Sequence, residues 1–169
     1  WEETTQYAAG IDFGFNNDRF SGSFDVYRKE TQDLLLNVEA AQPSPQPFFF
    51  QNLDAVVLNT GFEVALNYDV IQGQDFNWTV GINAAYNSNE IQDFEGQIAA
   101  GTIRGAGLTN AFAQRLSNGQ PLYSFYLREF TGFDDSGNPT FEGGIDNQKF
   151  LDKSALPDVT GGLSTSANY

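Results

Sequence analysis

The sequence has no cysteine, no histidine and no methionine, and eight lysines and arginines stand against 22 aspartates and glutamates, a formal charge of −14. Without cysteine there are no disulfides, thiolate-bound zinc, iron–sulfur clusters or thiol nucleophiles. Without histidine the commonest general base and the commonest metal ligand are missing. The shortage of cations excludes nucleic acid, because nothing here neutralises a row of phosphates. No apolar run approaches about 18 residues, so no transmembrane helix is expected. A charged-then-apolar leader is also missing and the chain opens at Trp1, so it reads as processed or cut from something longer. No catalytic residue, metal or cofactor is expected. What the chain does have is aromatics, at 15 %, with 16 Phe beside 17 Gly and 18 % charged residues. That is the composition of a sheet protein. Its mean hydropathy of −0.37 is unremarkable, a property that membrane barrels share, since half their strand residues face a polar lumen.

Periodicity separates the cases. Thr5, Tyr7, Ala9, Ile11, Phe13 and Phe15 alternate with small or polar residues, and the cluster Asn16-Asn17-Asp18 then makes a turn. Phe20, Gly22, Phe24 and Val26 continue one face, with Ser21, Ser23 and Asp25 on the other. The pattern recurs in Thr60–Val70 and, after the turn Gln72-Gly73-Gln74-Asp75, in Phe76–Tyr86; a weaker run covers Val159–Tyr169. Strands are therefore expected at about 4–15, 20–31, 59–71, 76–88 and 159–169, with long loops at about 32–54 and 89–157. No proline falls within these strands. Twelve residues at ~3.3 Å and ~45° tilt span roughly 28 Å, enough for the ~25 Å apolar band of an outer-membrane barrel. Tight turns at one rim and long loops at the other have that layout too. The expected fold is all-β: an antiparallel transmembrane β-barrel segment of about five membrane-spanning strands plus a loop hairpin. Five strands cannot close a barrel, so the segment belongs to a larger one.

With the short turns taken as periplasmic, Phe13, Phe15, Phe20, Tyr68, Phe76, Trp78 and Tyr169 form a lipid-facing girdle at that rim. Asp12, Asp25, Glu63 and Asp69 fall on the lumenal face as solvated wall residues. Phe48, Phe49 and Phe50, after Pro43, Pro45 and Pro47, are candidates for substrate or lid contact, with packing of the loop on its neighbours as the alternative reading. Parity across the turns assigns Ser88–Asp158 to the extracellular side. Within it, Leu122–Thr131 and the stretch around Thr140–Phe141 flank a turn at Asp135–Asn138, so a hairpin is expected there. Its aromatics Tyr123, Tyr126 and Phe130 are further candidates for lid or cargo contact.

Trp1-Glu2-Glu3-Thr4-Thr5-Gln6-Tyr7, followed by Gly10-Ile11-Asp12-Phe13-Gly14-Phe15, resembles a strand of the SusC/RagA family of TonB-linked outer-membrane receptors. Thr31-x-Asp33-Leu34-Leu35-Leu36, Asn59-x-Gly61-x-Glu63, Phe76-x-Trp78 and Ala155-Leu156-Pro157-Asp158-x-Thr160-Gly161-Gly162 keep the family's order and spacing. The resemblance implies part of a 22-stranded, plugged barrel in the outer membrane of a Gram-negative bacterium, taking up large nutrients such as oligosaccharides or peptides. It implies as partners the rest of the same barrel, outer-membrane lipid, a SusD-like surface lipoprotein acting as a lid, and the TonB system through a plug domain and TonB box that this chain does not contain. One departure stands out. Many members carry an acidic calcium-type loop before the Leu-Pro-Asp signature; Phe133–Asp146 lacks the alternating oxygen ligands and the terminal bidentate glutamate, and reads instead as a β-turn. A passive porin-like channel and a soluble glycan-binding sandwich or adhesin are the alternative functions.

Overall fold

The computed structural model describes residues 1–39, 43–46, 48–102 and 111–169, and these form strands and turns without a helix. They fall into two units, Trp1–Asn89 with Pro157–Tyr169, and Glu90–Leu156.

The first unit is an open antiparallel sheet. Numbered along the chain, its strands are β1 (Glu3–Phe15), β2 (Phe20–Glu39), β3 (Phe48–Gln72), β4 (Asn77–Gln92, whose last residues belong to the second unit) and β11 (Val159–Asn168), in the order β1-β2-β3-β4-β11. The turns explain the register. Asn16, Asn17 and Asp18 all adopt left-handed backbone, at φ 56°, 54° and 60°, which Asn and Asp tolerate better than other side chains. They reverse the chain so that Phe15 pairs with Phe20, and the ladder then runs without a slip to Glu3 opposite Gln32. At the second tight turn Gly73 N–H donates to Phe76 C=O at 2.9 Å. Arg19 ties the two turns together: its Nε and Nη2 donate to the carbonyls of Asp69 and Val70, each at 3.0 Å, and its guanidinium lies 5.6 Å from the Tyr68 ring centre.

A single layer of strands cannot bury its apolar face on itself. Among the described side chains of this unit, the apolar ones other than Ala55, Val57 and Leu58 are at least partly open, and Leu163 keeps 80 % of its surface. The sheet is a piece of wall.

The second unit holds a four-stranded sheet in the order β10-β7-β6-β5, made of β5 (Gln97–Thr102), β6 (Phe112–Ser117), β7 (Ser124–Leu127) and β10 (Lys149–Ser154). A separate hairpin pairs β8 (Phe130–Phe133) with β9 (Pro139–Phe141). Among its described residues Ile91, Leu116 and Ser124 are buried, and Ser124 Oγ–H donates to Pro121 C=O at 2.7 Å. Among the described residues, no strand lying wholly within this unit joins the five-stranded sheet.

Three expectations need correction. The segment 32–54 is not simply a loop, because β2 continues to Glu39 and β3 begins at Phe48. Alternation missed this because the ladder slips at Asp33 (φ 55°): Gln32 pairs with Val56, but Leu34 pairs with Leu53. The slip exchanges the two faces. Just beyond it, adjacent Val57 and Leu58 are 3 % and 8 % exposed, so both faces are covered and no polar face remains to be read. Next, 89–157 holds six short strands among its described residues, whose lengths of three to six residues are too short for alternation to register. Finally, of Leu122–Thr131 the hairpin uses only Phe130 and Thr131. Ser124–Leu127 pairs with β6 and β10, and Phe130–Phe133 forms the hairpin arm.

Candidate functional site

The two faces of the five-stranded sheet are chemically distinct. On the apolar face, Phe13, Phe15 and Phe20 form one cluster, with ring centres 5.8–6.3 Å apart. Phe20 pairs in register with Tyr68, and Trp78 Nε1–H donates to Thr165 Oγ1 at 2.8 Å from the strand next door. Phe76 stands in the turn before β4, and Tyr169 follows the last pair, Asn168–Asn77. All seven residues of the expected girdle therefore lie at the short-turn end of the sheet. A second aromatic group runs across the same face nearer the other end: Phe24 to Phe62 at 6.1 Å, and Phe62 to Tyr86 at 5.6 Å. Beyond it Tyr7 pairs with Arg28, whose guanidinium is bonded to Glu30 at 2.6 Å. This second group escaped the sequence reading because its members come from three strands and align only once the register is known.

The opposite face is polar and built around one close approach. Tyr27 of β2 lies across β3 at Gly61, and its hydroxyl donates to Asn87 Oδ1 of β4 at 2.9 Å. Asn59 Oδ1 then accepts from Nδ2 of Asn87 at 3.3 Å and of Asn89 at 2.8 Å. A Cβ at Gly61 would sit 2.6 Å from the Tyr27 hydroxyl and collide with the Tyr86 carbonyl, so glycine makes the crossing possible. Nearer the short turns, Asp69 accepts from Thr79 Oγ1 at 2.6 Å and Gln72 Nε2 at 2.9 Å. Asp25 and Glu63 are paired in register on this face, beside Asn83 and Thr160.

The six residues expected to touch cargo or lid are divided between the two units, Phe48, Phe49 and Phe50 in the first and Tyr123, Tyr126 and Phe130 in the second. Phe49 and Phe50 pair with Val38 and Asn37 at the start of β3, and strand geometry sends neighbouring residues to opposite faces, so they cannot act as one platform. Phe50 keeps 71 % of its surface. The Phe48 side chain lies outside the described residues. Tyr123, at φ 61°, precedes β7, and its carbonyl accepts from Ala155 N–H. Tyr126 sits in the four-stranded sheet, edge-on to Phe150 at 4.9 Å, with the Arg115 guanidinium 4.2 Å from its ring centre. Phe130 belongs to the separate hairpin, against Phe133 and Phe141.

The tip of that hairpin is held by Asp134. Its Oδ1 accepts from the backbone N–H of Ser136 and of Asn138, both at 2.9 Å, and these bonds hold its carboxyl below the usual carboxylate range. Nearby, Lys149 bridges Glu129 (2.8 Å) and Glu142; the two hydrogen-bonded carboxylates raise the lysine, and the same lysine lowers Glu129. Among the described residues, no three acidic side chains converge in a way that could hold a metal ion.

The family model for the TonB-dependent receptor-like β-barrel matches residues 1–168. The chain belongs to this family. It is 32 % identical to the TonB-dependent receptor SusC of Bacteroides thetaiotaomicron, over all of this chain and 18 % of that protein. Over 54 % of the chain it is 42 % identical to the TonB-dependent receptor P39 of Formosa agariphila, of which that match covers 9 %. Among solved structures, the RagAB peptide transporter superposes on the whole chain and 20 % of its own with a TM-score of 0.77 at 27 % identity; the RagAB peptide importer in its closed-closed state gives 0.78 at 26 %. The matches thus cover between 9 % and 20 % of these longer relatives, and the chain is a segment of a larger antiparallel barrel. These relatives are receptors and a transporter, not enzymes.

The motifs behind the resemblance occupy structural positions. Asp33 of the Thr31–Leu36 stretch is the ladder slip. Asn59 and Gly61 are the acceptor and the clearance of the tyrosine crossing. Asp158 C=O accepts from Asn87 N–H at 2.9 Å and anchors the entry of β11.

Proposed function

We propose that this chain is wall and outer-loop structure of a TonB-dependent outer-membrane importer of large nutrients, oligosaccharides or peptides, working with a SusD-like surface lipoprotein and driven by TonB through parts of the receptor outside this segment. The observation that carries the reading is the parity of the inner parts of the five strands: Phe13, Phe24, Val64, Leu66, Ile82 and Leu163 gather on one face through the register pairs, and Asp12, Asp25, Glu63 and Asn83 on the other. That is the alternation a barrel needs between lipid and a hydrated lumen. The two aromatic levels fit it. Tyr7 lies eight residues from Phe15 along β1, or ~19 Å at ~3.3 Å per residue and ~45° tilt, with the ring side chains extending the interval toward the ~25 Å apolar band. Arg28 and Glu30 then stand at headgroup level.

In this reading the lumenal wall is uncharged where Tyr27, Asn59, Asn87 and Asn89 hydrogen-bond one another, and anionic at Asp25 and Glu63, leaving hydrated polar groups along the cargo path. With 20 and 25 residues, β2 and β3 exceed the ~9–11 that a tilted strand needs to cross. Their far ends therefore continue outside the membrane. Short turns are periplasmic and Glu90–Leu156 is extracellular. Single cysteines test this in intact cells expressing the whole receptor. Ser117→Cys, Ser136→Cys and Asn147→Cys should react with a membrane-impermeant thiol reagent, and Asn17→Cys should not. Labelling of Asn17→Cys with protection of Ser136→Cys would invert the topology.

A further inference from the structure

Within Glu90–Leu156, the four-stranded sheet carries a hollow of about 270 Å³ whose lining includes Ala99, Phe112, Arg115, Tyr126 and Gln148. Arg115 is half-buried there. Lys149 in the same unit holds two carboxylates, and the protein has 22 in all, yet among the described residues no carboxylate lies within ion-pair distance of Arg115. Its plane is fixed instead by uncharged groups. The guanidinium stacks 4.2 Å from the Tyr126 ring centre, Phe150 braces that ring edge-on at 4.9 Å, and Arg115 Nη1–H donates to Gln97 Oε1 at 2.9 Å.

That arrangement leaves Nε and Nη2 without a protein acceptor among the described residues. Their N–H groups lie along one edge of the guanidinium, the fork that receives both oxygens of a carboxylate at once. Stacking on tyrosine holds the fork in place before anything binds, which lowers the entropy cost of binding. The Gln148 side chain in the hollow wall adds an amide that can donate and accept beside it.

We propose that this hollow binds a carboxylate carried by the cargo, with Arg115 as the bidentate donor and Tyr126 and Gln97 as the groups that orient it. The inference rests on the importer reading and narrows its substrate class to acid-bearing oligomers. Two sources share the chemistry: the carboxylate of an acidic sugar, and the free C-terminus of a peptide.

The test titrates the whole purified receptor calorimetrically with trigalacturonate and its methyl ester, and with a four-alanine peptide bearing a free or amidated C-terminus. At least one acid form should bind about tenfold or more tighter than its neutral counterpart, the scale of a charged bidentate hydrogen bond. Preference confined to the sugar or to the peptide names the source. Arg115→Gln should abolish the preference, and Arg115→Lys, which keeps the charge and loses the fork, should leave an intermediate one. Equal affinity for acid and neutral forms, a preference that survives Arg115→Gln, or no binding of either acid by about 10 mM, would overturn the proposal. Energy-dependent uptake of the same probes into intact cells reads the importer function separately: preference without uptake removes the importer and keeps the site, and uptake without preference does the reverse.

Discussion

Val64→Arg should destabilise the intact receptor by about 2–4 kcal/mol, the cost of a cation on the lipid face near the bilayer midplane, while Glu63→Arg should leave its stability nearly unchanged. The two positions are adjacent in β3 and differ in the face they serve. Val64 pairs with Phe24 and lies between the aromatic levels set by Phe20–Tyr68 and Tyr7–Arg28. An arginine there must bend toward a headgroup or draw water into the hydrocarbon. Glu63 pairs with Asp25, so Glu63→Arg replaces two like charges with an opposite pair, worth about 0.2–1 kcal/mol in the favourable direction. Urea titration of the refolded full-length receptor in lipid vesicles reads both. Equal losses at the two positions would contradict the facing assignment.

The second large effect is at Gly61. Gly61→Ala should cost about 1–3 kcal/mol, the range for forcing atoms into an occupied space, because the new methyl meets both the Tyr86 carbonyl and the Tyr27 ring. Moving that ring also breaks the bond from the Tyr27 hydroxyl to Asn87 and loosens the asparagine chain behind it. A double-mutant cycle isolates the crossing. In a Tyr27→Ala background Gly61→Ala should cost less than in the wild type, since the ring it strikes is gone; the part that remains is the collision with the Tyr86 carbonyl. Strictly additive losses would mean that the tyrosine does not depend on the glycine.

The fold class was legible because a barrel wall obeys two constraints at every residue, apolar outward and polar inward. Phe62, Val64 and Leu66 against Glu63, Ala65 and Asn67 show both in six residues. The signal ended where a constraint ended. Around Val57 and Leu58 both faces are covered, and at Asp33 the ladder slips, so Leu34-Leu35-Leu36 and Phe48-Phe49-Phe50 read as loop although they are strand. The candidate site was harder to see for a different reason. Asparagine at 59, 87 and 89 and tyrosine at 27 are unremarkable singly; they meet because registers across β2, β3 and β4 bring residues 28 to 60 positions apart into contact. Arg115, Tyr126 and Gln97 likewise come from three strands, and one sequence carries no record of that register. The placement of Tyr123, Tyr126 and Phe130 on one hairpin arm failed on the same ground: proximity along the chain stood in for a pairing that sends Tyr126 to Phe150 and Phe130 to Phe141.

The central claim, that one face of this sheet meets lipid and the other a hydrated lumen, is tested most directly by spin labels placed singly at each position from Thr60 to Asp69 in the full-length receptor in bilayers. Collision with dissolved oxygen reports lipid, and collision with a water-soluble nickel chelate reports the lumen. The account predicts that both oscillate with a period of two residues and in opposite phase, oxygen high at Phe62, Val64, Leu66 and Tyr68, nickel high at Glu63, Ala65, Asn67 and Asp69. Profiles without alternation, or with oxygen maxima at Glu63 and Asn67, would contradict it.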